Sequence, residues 1–303
     1  MKRLLAFLVS AALLVWLVLD ARWRELGAAL AQLSPSVALI AAGGFAASYV
    51  LRALRVHDEF RADARGRFGT CLRIVLMHNA MINIVPFRGG EAAFPILLGR
   101  HFGTPLTRAL ASLFWFRLQD ALVVAVLAAA VWPGLPWWLR VTGIAALISF
   151  AWLLPRWARA PHRWSEAGAF ARRLAKLRDA LADTTRHARY GWMWTISNWA
   201  VKLAAQAWLL AALLHADLQT GAAGALGAEL AAILPIQGVA GFGTYEAGAA
   251  AALLPAGIAF DAGLQAALGL HLFVIGCALA AGALAWLLPA TAPRSPGSPN
   301  PNS

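Results

Sequence analysis

A chain of 303 residues that is 60% hydrophobic and 13% charged, with a mean hydropathy of +0.64, has the composition of a polytopic membrane protein and not of a soluble enzyme. The formal charge of +12 does not point to nucleic acid, because the basic residues cluster in loops beside apolar spans, where they set topology and meet anionic lipid. Cys71 and Cys277 are too few for a disulfide framework, and the seven histidines lack metal-ligand spacing, so neither a metal nor any other cofactor is expected.

Met1 to Arg3, the apolar run Leu4 to Leu19 and then Asp20, Arg22 and Arg24 show no small-residue cleavage site, so this segment reads as an uncleaved first span. At about twenty mostly apolar residues per crossing, spans fall near 4–20, 36–54, 109–132, 137–155, 191–214 and 264–288. Two further apolar stretches, about 71–99 and 221–257, are interrupted by prolines, glycines and carboxylates. The expected fold is therefore all-α: about six full spans plus two re-entrant helical hairpins in one membrane domain, 1–290. A Pro/Ser/Asn-rich disordered tail, 291–303, follows.

Lys and Arg orient these spans. Segment 52–73 holds Arg52, Arg55, Arg61, Arg65, Arg67 and Arg73, and loop 156–190 is also densely basic, whereas Trp132 to Trp138 carries no charge. The positive-inside rule puts both basic regions and the N-terminus in the cytoplasm of a cell (inner) membrane, with Trp132, Trp137 and Trp138 in an outer interfacial belt. Threaded this way, 71–99 enters from the cytoplasmic side and 221–257 from the outside. The unit span–hairpin–span then occurs twice with opposite topology, an inverted repeat around a central site. Within loop 156–190, Ser165 to Arg189 reads as an amphipathic helix. Phe170, Leu174, Leu177 and Leu181 form its apolar stripe, with Arg172, Arg173, Lys176, Arg178 and Asp179 elsewhere on its surface.

A charge at the bilayer centre costs at least ~2.5–3.5 kcal/mol on insertion scales, so deep ionisable residues mark a site or a structural pair. They are Arg88, Glu91, Arg117, Asp120, Lys202, Glu229 and Glu246. Arg117 and Asp120, at i and i+3, are placed to pair with each other. Asn198, Lys202 and Gln206 make a polar stripe that faces the bundle interior, as substrate contact or as packing glue. Asn79, Asn83, Pro86, Arg88, Gly89, Gly90 and Glu91 form the first broken segment; Pro235, Gln237, Gly238, Gly241, Gly243 and Glu246 form the second. Arg88 offers a planar fork for phosphate, and the glycines permit close backbone approach or positive φ. The bland alternative is a pair of tight turns whose glutamates cap helices.

Pro86-x-Arg88-x-Gly90-Glu91, Phe116-Arg117-x-x-Asp120, and Pro235 followed by Gly241-x-Gly243-x-x-Glu246 resemble the lysylphosphatidylglycerol synthase transmembrane region, or flippase-like domain, over about 1–290. The resemblance implies a lipid translocase that moves an anionic phospholipid or lipid-linked head group between leaflets. Membrane lipids and lipid-synthesis enzymes would be its partners. An intramembrane lipid-modifying transferase or phosphatase, or a non-catalytic scaffold for lipid biosynthesis, are the alternatives. The family often carries Arg three residues after the first Glu and Arg just before the second, where this chain has Phe94 and Tyr245. These 303 residues show no soluble aminoacyltransferase domain, so the resemblance does not imply synthase activity.

Overall fold

The computed structural model describes residues 33–85, 89–132, 134–162, 168–187, 189–233 and 241–287, and every regular element among them is helical. The expected span at 4–20, the tail 291–303, and Pro86, Arg88, Pro235, Gln237 and Gly238 lie outside the described residues.

Helix α1 (Pro35–Glu59) starts behind Ser34, whose hydroxyl accepts the Val37 N–H, with Pro35 in the first turn where its missing N–H is no loss. A short α2 (Arg61–Ala64) leads to α3 (Phe68–Ile84), a 3-10 turn (Gly89–Ala92), α4 (Ala93–Phe102), α5 (Leu106–Val131) and α6 (Trp137–Arg159). Then come α7 (Ala169–His187), α8 (Gly191–Leu214), α9 (Leu218–Ile233), α10 (Thr244–Leu253) and α11 (Phe260–Ala285). Helices α1, α5, α6 and α11 are long and apolar enough to cross a membrane. Helix α8 reaches that standard only together with α9, from which it is bent by 116°. Each of the five falls on an expected span, although α1 runs on past residue 54 to Glu59.

Both broken stretches are helix pairs, α3/α4 and α9/α10. Val85 ends α3 in extended conformation (φ −90°, ψ 119°), the region that sterics impose on a residue preceding proline. At the second break Gly243 has φ +85°, which disfavours any Cβ, and its N–H donates to the Glu246 carboxylate at 2.7 Å to start α10.

Small residues set the helix crossings, as expected where lipid removes the hydrophobic drive and close backbone packing must replace it. Antiparallel α1 and α8 meet where Gly44 touches Ala205, and Ser48 Oγ donates to Asn198 Oδ1 at 2.7 Å. Gly282 of α11 faces Ala80 of α3, and Gly227 of α9 abuts Gly248 of α10. Gly248→Val drives a branched side chain into Ala231 and the Gly227 carbonyl. Its expected cost is about 1–3 kcal/mol, seen as a lower melting temperature in detergent; Gly43→Val, at a position with open space around it, should change little.

Apolar packing collects at the two ends. One cluster joins Phe60, Ile74, Phe94 and Leu98 around α3 and α4; a second joins Leu209, Leu210, Ala249 and Leu270 around α9, α10 and α11. A third, with Phe45, Tyr49 and Ala205, lies along the α1–α8 seam.

The first end is the basic one. There Arg67 donates to the His101 carbonyl (3.0 Å), Arg108 to Asp63 (3.3 Å), and the Tyr190 N–H to Asp58 (2.6 Å). Arg178, expected on the exposed surface of the amphipathic stretch, is instead buried, because its guanidinium reaches the Trp157 and Ala160 carbonyls (2.5 and 2.8 Å) at the end of α6. Phe170, Leu174 and Leu177 of α7 face outward, while Leu181 packs into the first cluster. At the far end Trp132, Trp137 and Trp138 are exposed. Asp217 accepts the Thr220 N–H at 2.7 Å there, which holds its carboxyl below the usual range.

Candidate functional site

Between the two end clusters the helices enclose a cavity of about 550 Å³, a size typical of ligand sites. It is walled by Tyr49 and Arg52 of α1, Asn79 and Asn83 of α3, Arg117 and Asp120 of α5, and Asn198 and Lys202 of α8. Glu229 of α9 and His271 of α11 join them. Each hairpin reaches it with its break: Glu91 from the first, Gly241 and Tyr245 from the second.

The cations and carboxylates of this wall are paired across elements. Arg117 reaches Glu91 at 2.6 Å and stands 3.8 Å from Asp120, so its close partner is the hairpin carboxylate and not the expected i+3 neighbour. Asp120 is taken from behind by Arg55 Nη1 at 2.7 Å and by the Trp199 indole N–H at 3.0 Å. The buried Arg55 also donates to the Phe116 carbonyl and to Gln119, so both of its terminal nitrogens are engaged. Lys202 Nζ sits 2.7 Å from Glu229, whose same oxygen accepts from Gln206 at 2.6 Å. Gln206 also donates to the Tyr245 hydroxyl at 2.9 Å, tying α8 to the second hairpin.

Arg52 stands apart. Its Nη1 donates to Asn79 Oδ1 at 2.6 Å, and among the described residues no carboxylate lies within ion-pair distance of it. Asn79 is positioned in turn by the end of α3, where Asn83 Nδ2 donates back to the Asn79 carbonyl at 2.8 Å.

The hairpin glutamates are held differently. Glu91 is partly exposed to the cavity and also meets His78 Nε2 at 3.2 Å. Gly90, just before it, packs so closely on the Met81 carbonyl and Ile82 that no Cβ fits. Gly89 faces Val85 in the same way. Glu246 is fully buried behind the wall, with one oxygen on the Gly243 N–H and the other 2.6 Å from His271 Nδ1. Tyr245 stacks on that imidazole with ring centroids 4.4 Å apart.

The structure thus gathers Asn79, Asn83, Glu91, Arg117, Asp120, Lys202 and Gly241 on one cavity, with Gly89, Gly90, Gly243 and Glu246 supporting it. Sequence reasoning missed Arg52 and Arg55, which it assigned to a basic loop segment, and His78 and His271, which it set aside as scattered. The signal for the arginines was present: Ser48, Arg52, Arg55 and Glu59, spaced by four, three and four, form one polar stripe on an apolar helix.

At Phe94 and Tyr245, the two positions where the resemblance implies arginine, this chain adds no cation to the cavity. Phe94 is buried against His78 and Phe116, with centroids at 5.3 and 6.0 Å. Tyr245 occupies the His271 face. Among the described residues, the arginines and lysine of the cavity are Arg52, Arg117 and Lys202.

Searches of curated proteins and of solved structures gave no match. The family model described as the lysylphosphatidylglycerol synthase TM region matches residues 3–282, nearly the whole of a chain whose helices and charged cavity have just been described. The chain belongs to the lysylphosphatidylglycerol synthase TM region family, and is a multi-pass membrane protein associated with lipids.

Proposed function

We propose that the protein moves an anionic phospholipid, or a lipid-linked anionic head group, between leaflets. The head group passes through the central cavity while the acyl chains stay in the bilayer. The observation that carries this reading is Arg52, a guanidinium at membrane depth on a cavity wall without a carboxylate partner among the described residues. Such a charge is costly in an apolar body unless a ligand or water compensates it, and a phosphate supplies the compensation. Arg117 and Lys202 assist, each exchanging its carboxylate for the head group. Arg88 adds a further phosphate contact at the first break.

The alternating-access part of the proposal rests on the contacts between elements. Hairpin α3/α4 starts and ends at the basic end, where Arg67 reaches the His101 carbonyl. Hairpin α9/α10 starts and ends at the other, where Gly224 packs on Leu253. Glu91 on Arg117, 26 positions later, parallels Glu246 on His271, 25 positions later. These pairings support an inverted repeat of span, re-entrant hairpin and span, with Glu91 and Glu246 organising two opposed gates and the basic end on the cytoplasmic side.

Reconstitution into liposomes containing fluorescent phosphatidylglycerol, with chemical quenching of the outer leaflet, tests it. The wild-type chain is expected to move the probe, and Arg117→Gln to slow it at least about tenfold, as loss of one charge-assisted contact implies. Equal rates in protein-free and protein-containing vesicles would sink the proposal; a chemically altered lipid in the product would favour a lipid-modifying enzyme instead.

A further inference from the structure

A second cavity, of about 350 Å³, lies on the flank of α5 at the basic end, apart from the central one. Helices α6 and α8 both pack on α5, and the space between them is this crevice. Trp115 and Gln119 form its floor. Arg156, Arg159 and Arg189 belong to its lining, and no described carboxylate does. Arg156 uses one N–H on the Trp152 carbonyl (3.1 Å) and Arg159 one on the Pro155 carbonyl (3.0 Å), so each guanidinium keeps further donors for a ligand. Among the described residues none of the three has a carboxylate within ion-pair distance.

The walls identify the source of the anion. Trp152 of α6 and Met193 of α8 line it and are exposed large apolar side chains, and the α6 span has no buried residue in its most apolar window. A soluble phosphate needs only the arginines. A crevice whose lining exposes Trp152 and Met193 beside those arginines fits an acyl chain, and Trp152, with the Arg156 guanidinium 3.4 Å over its ring, is the amphipathic side chain that favours a membrane interface.

We propose that this crevice holds one anionic phospholipid, with its phosphate on Arg156, Arg159 and Arg189 and an acyl chain between α6 and α8. The site does not depend on the translocation reading. Its occupant rests on Gln119, which accepts from Arg55 at 3.0 Å, so it bears on the back of the central site.

Native mass spectrometry of the full chain in mild detergent, titrated with dioleoyl phosphatidylglycerol, reads the site. At least one lipid is expected to stay bound in the wild type, and dioleoyl phosphatidylcholine should not replace it. Arg156→Gln, Arg159→Gln and Arg189→Gln together should weaken retention at least about tenfold. Ala151→Trp, which fills the crevice without changing charge, should do the same. Arg172→Gln with Lys176→Gln, exposed on α7, should have no effect. Unchanged retention in both crevice variants, equal loss in the α7 variant, or displacement by millimolar glycerol phosphate would each overturn the assignment.

Discussion

Arg52→Gln is expected to cut lipid translocation by roughly 10–100-fold, the equivalent of one charge-assisted hydrogen bond to phosphate worth ~1.5–3 kcal/mol. The fold should survive. Among the described residues Arg52 has no carboxylate partner that its removal would orphan, and glutamine can still donate to Asn79. Liposome flux assays beside melting curves separate the two effects. Arg52→Lys keeps the charge but loses the fork that bonds Asn79 and phosphate together, so an intermediate rate is expected. A rate for Arg52→Gln equal to wild type would show that the unpaired cation is not the head-group contact.

Asp120→Asn is expected to have the opposite signature, a loss of stability before any question of transport. The Arg55 side chain is 4% exposed, and Asp120 is its carboxylate partner, as well as the acceptor for Trp199 and the second neighbour of Arg117. Breaking a buried pair by removing one member leaves an uncompensated charge and costs about 3–5 kcal/mol. Melting temperature in detergent should fall sharply. Removing both members, as Asp120→Asn with Arg55→Met, should recover much of the loss, since the penalty lies in the orphaned guanidinium. A double variant no more stable than the single one would argue against that cause.

Much of the fold was legible in the sequence because membrane burial imposes a strong local signal. Apolar runs of spanning length mark α1, α5, α6, α8 and α11, and the clusters of glycine and proline mark both breaks. The rarity of deep charge picked out Glu91, Arg117, Asp120, Lys202, Glu229 and Glu246, all of which stand on or behind the central cavity. Spacing found the Arg117–Asp120 ion pair but not the tightest partner. Arg117 and Asp120 looked like partners by spacing, yet the closer carboxylate for Arg117 arrives from a hairpin 26 residues upstream. Arg52 and Arg55 were hidden by a boundary: α1 continues to Glu59, so residues that a hydropathy window places in a loop lie on a buried helical face. Arg178 was misplaced for a related reason, because a side chain that satisfies carbonyls of another helix leaves no trace in the periodicity of its own.

The two end clusters share no buried residue. Their separation means that cooperativity is divided: packing at the basic end can loosen while the far end keeps its own core, and the reverse. The chain joins these halves along the α1–α8 seam, where Gly44 meets Ala205, Ser48 bonds Asn198, and Phe45 and Tyr49 pack in a cluster of their own. Strain placed on one hairpin is therefore taken up within its own cluster, while the α1–α8 seam keeps the two halves together.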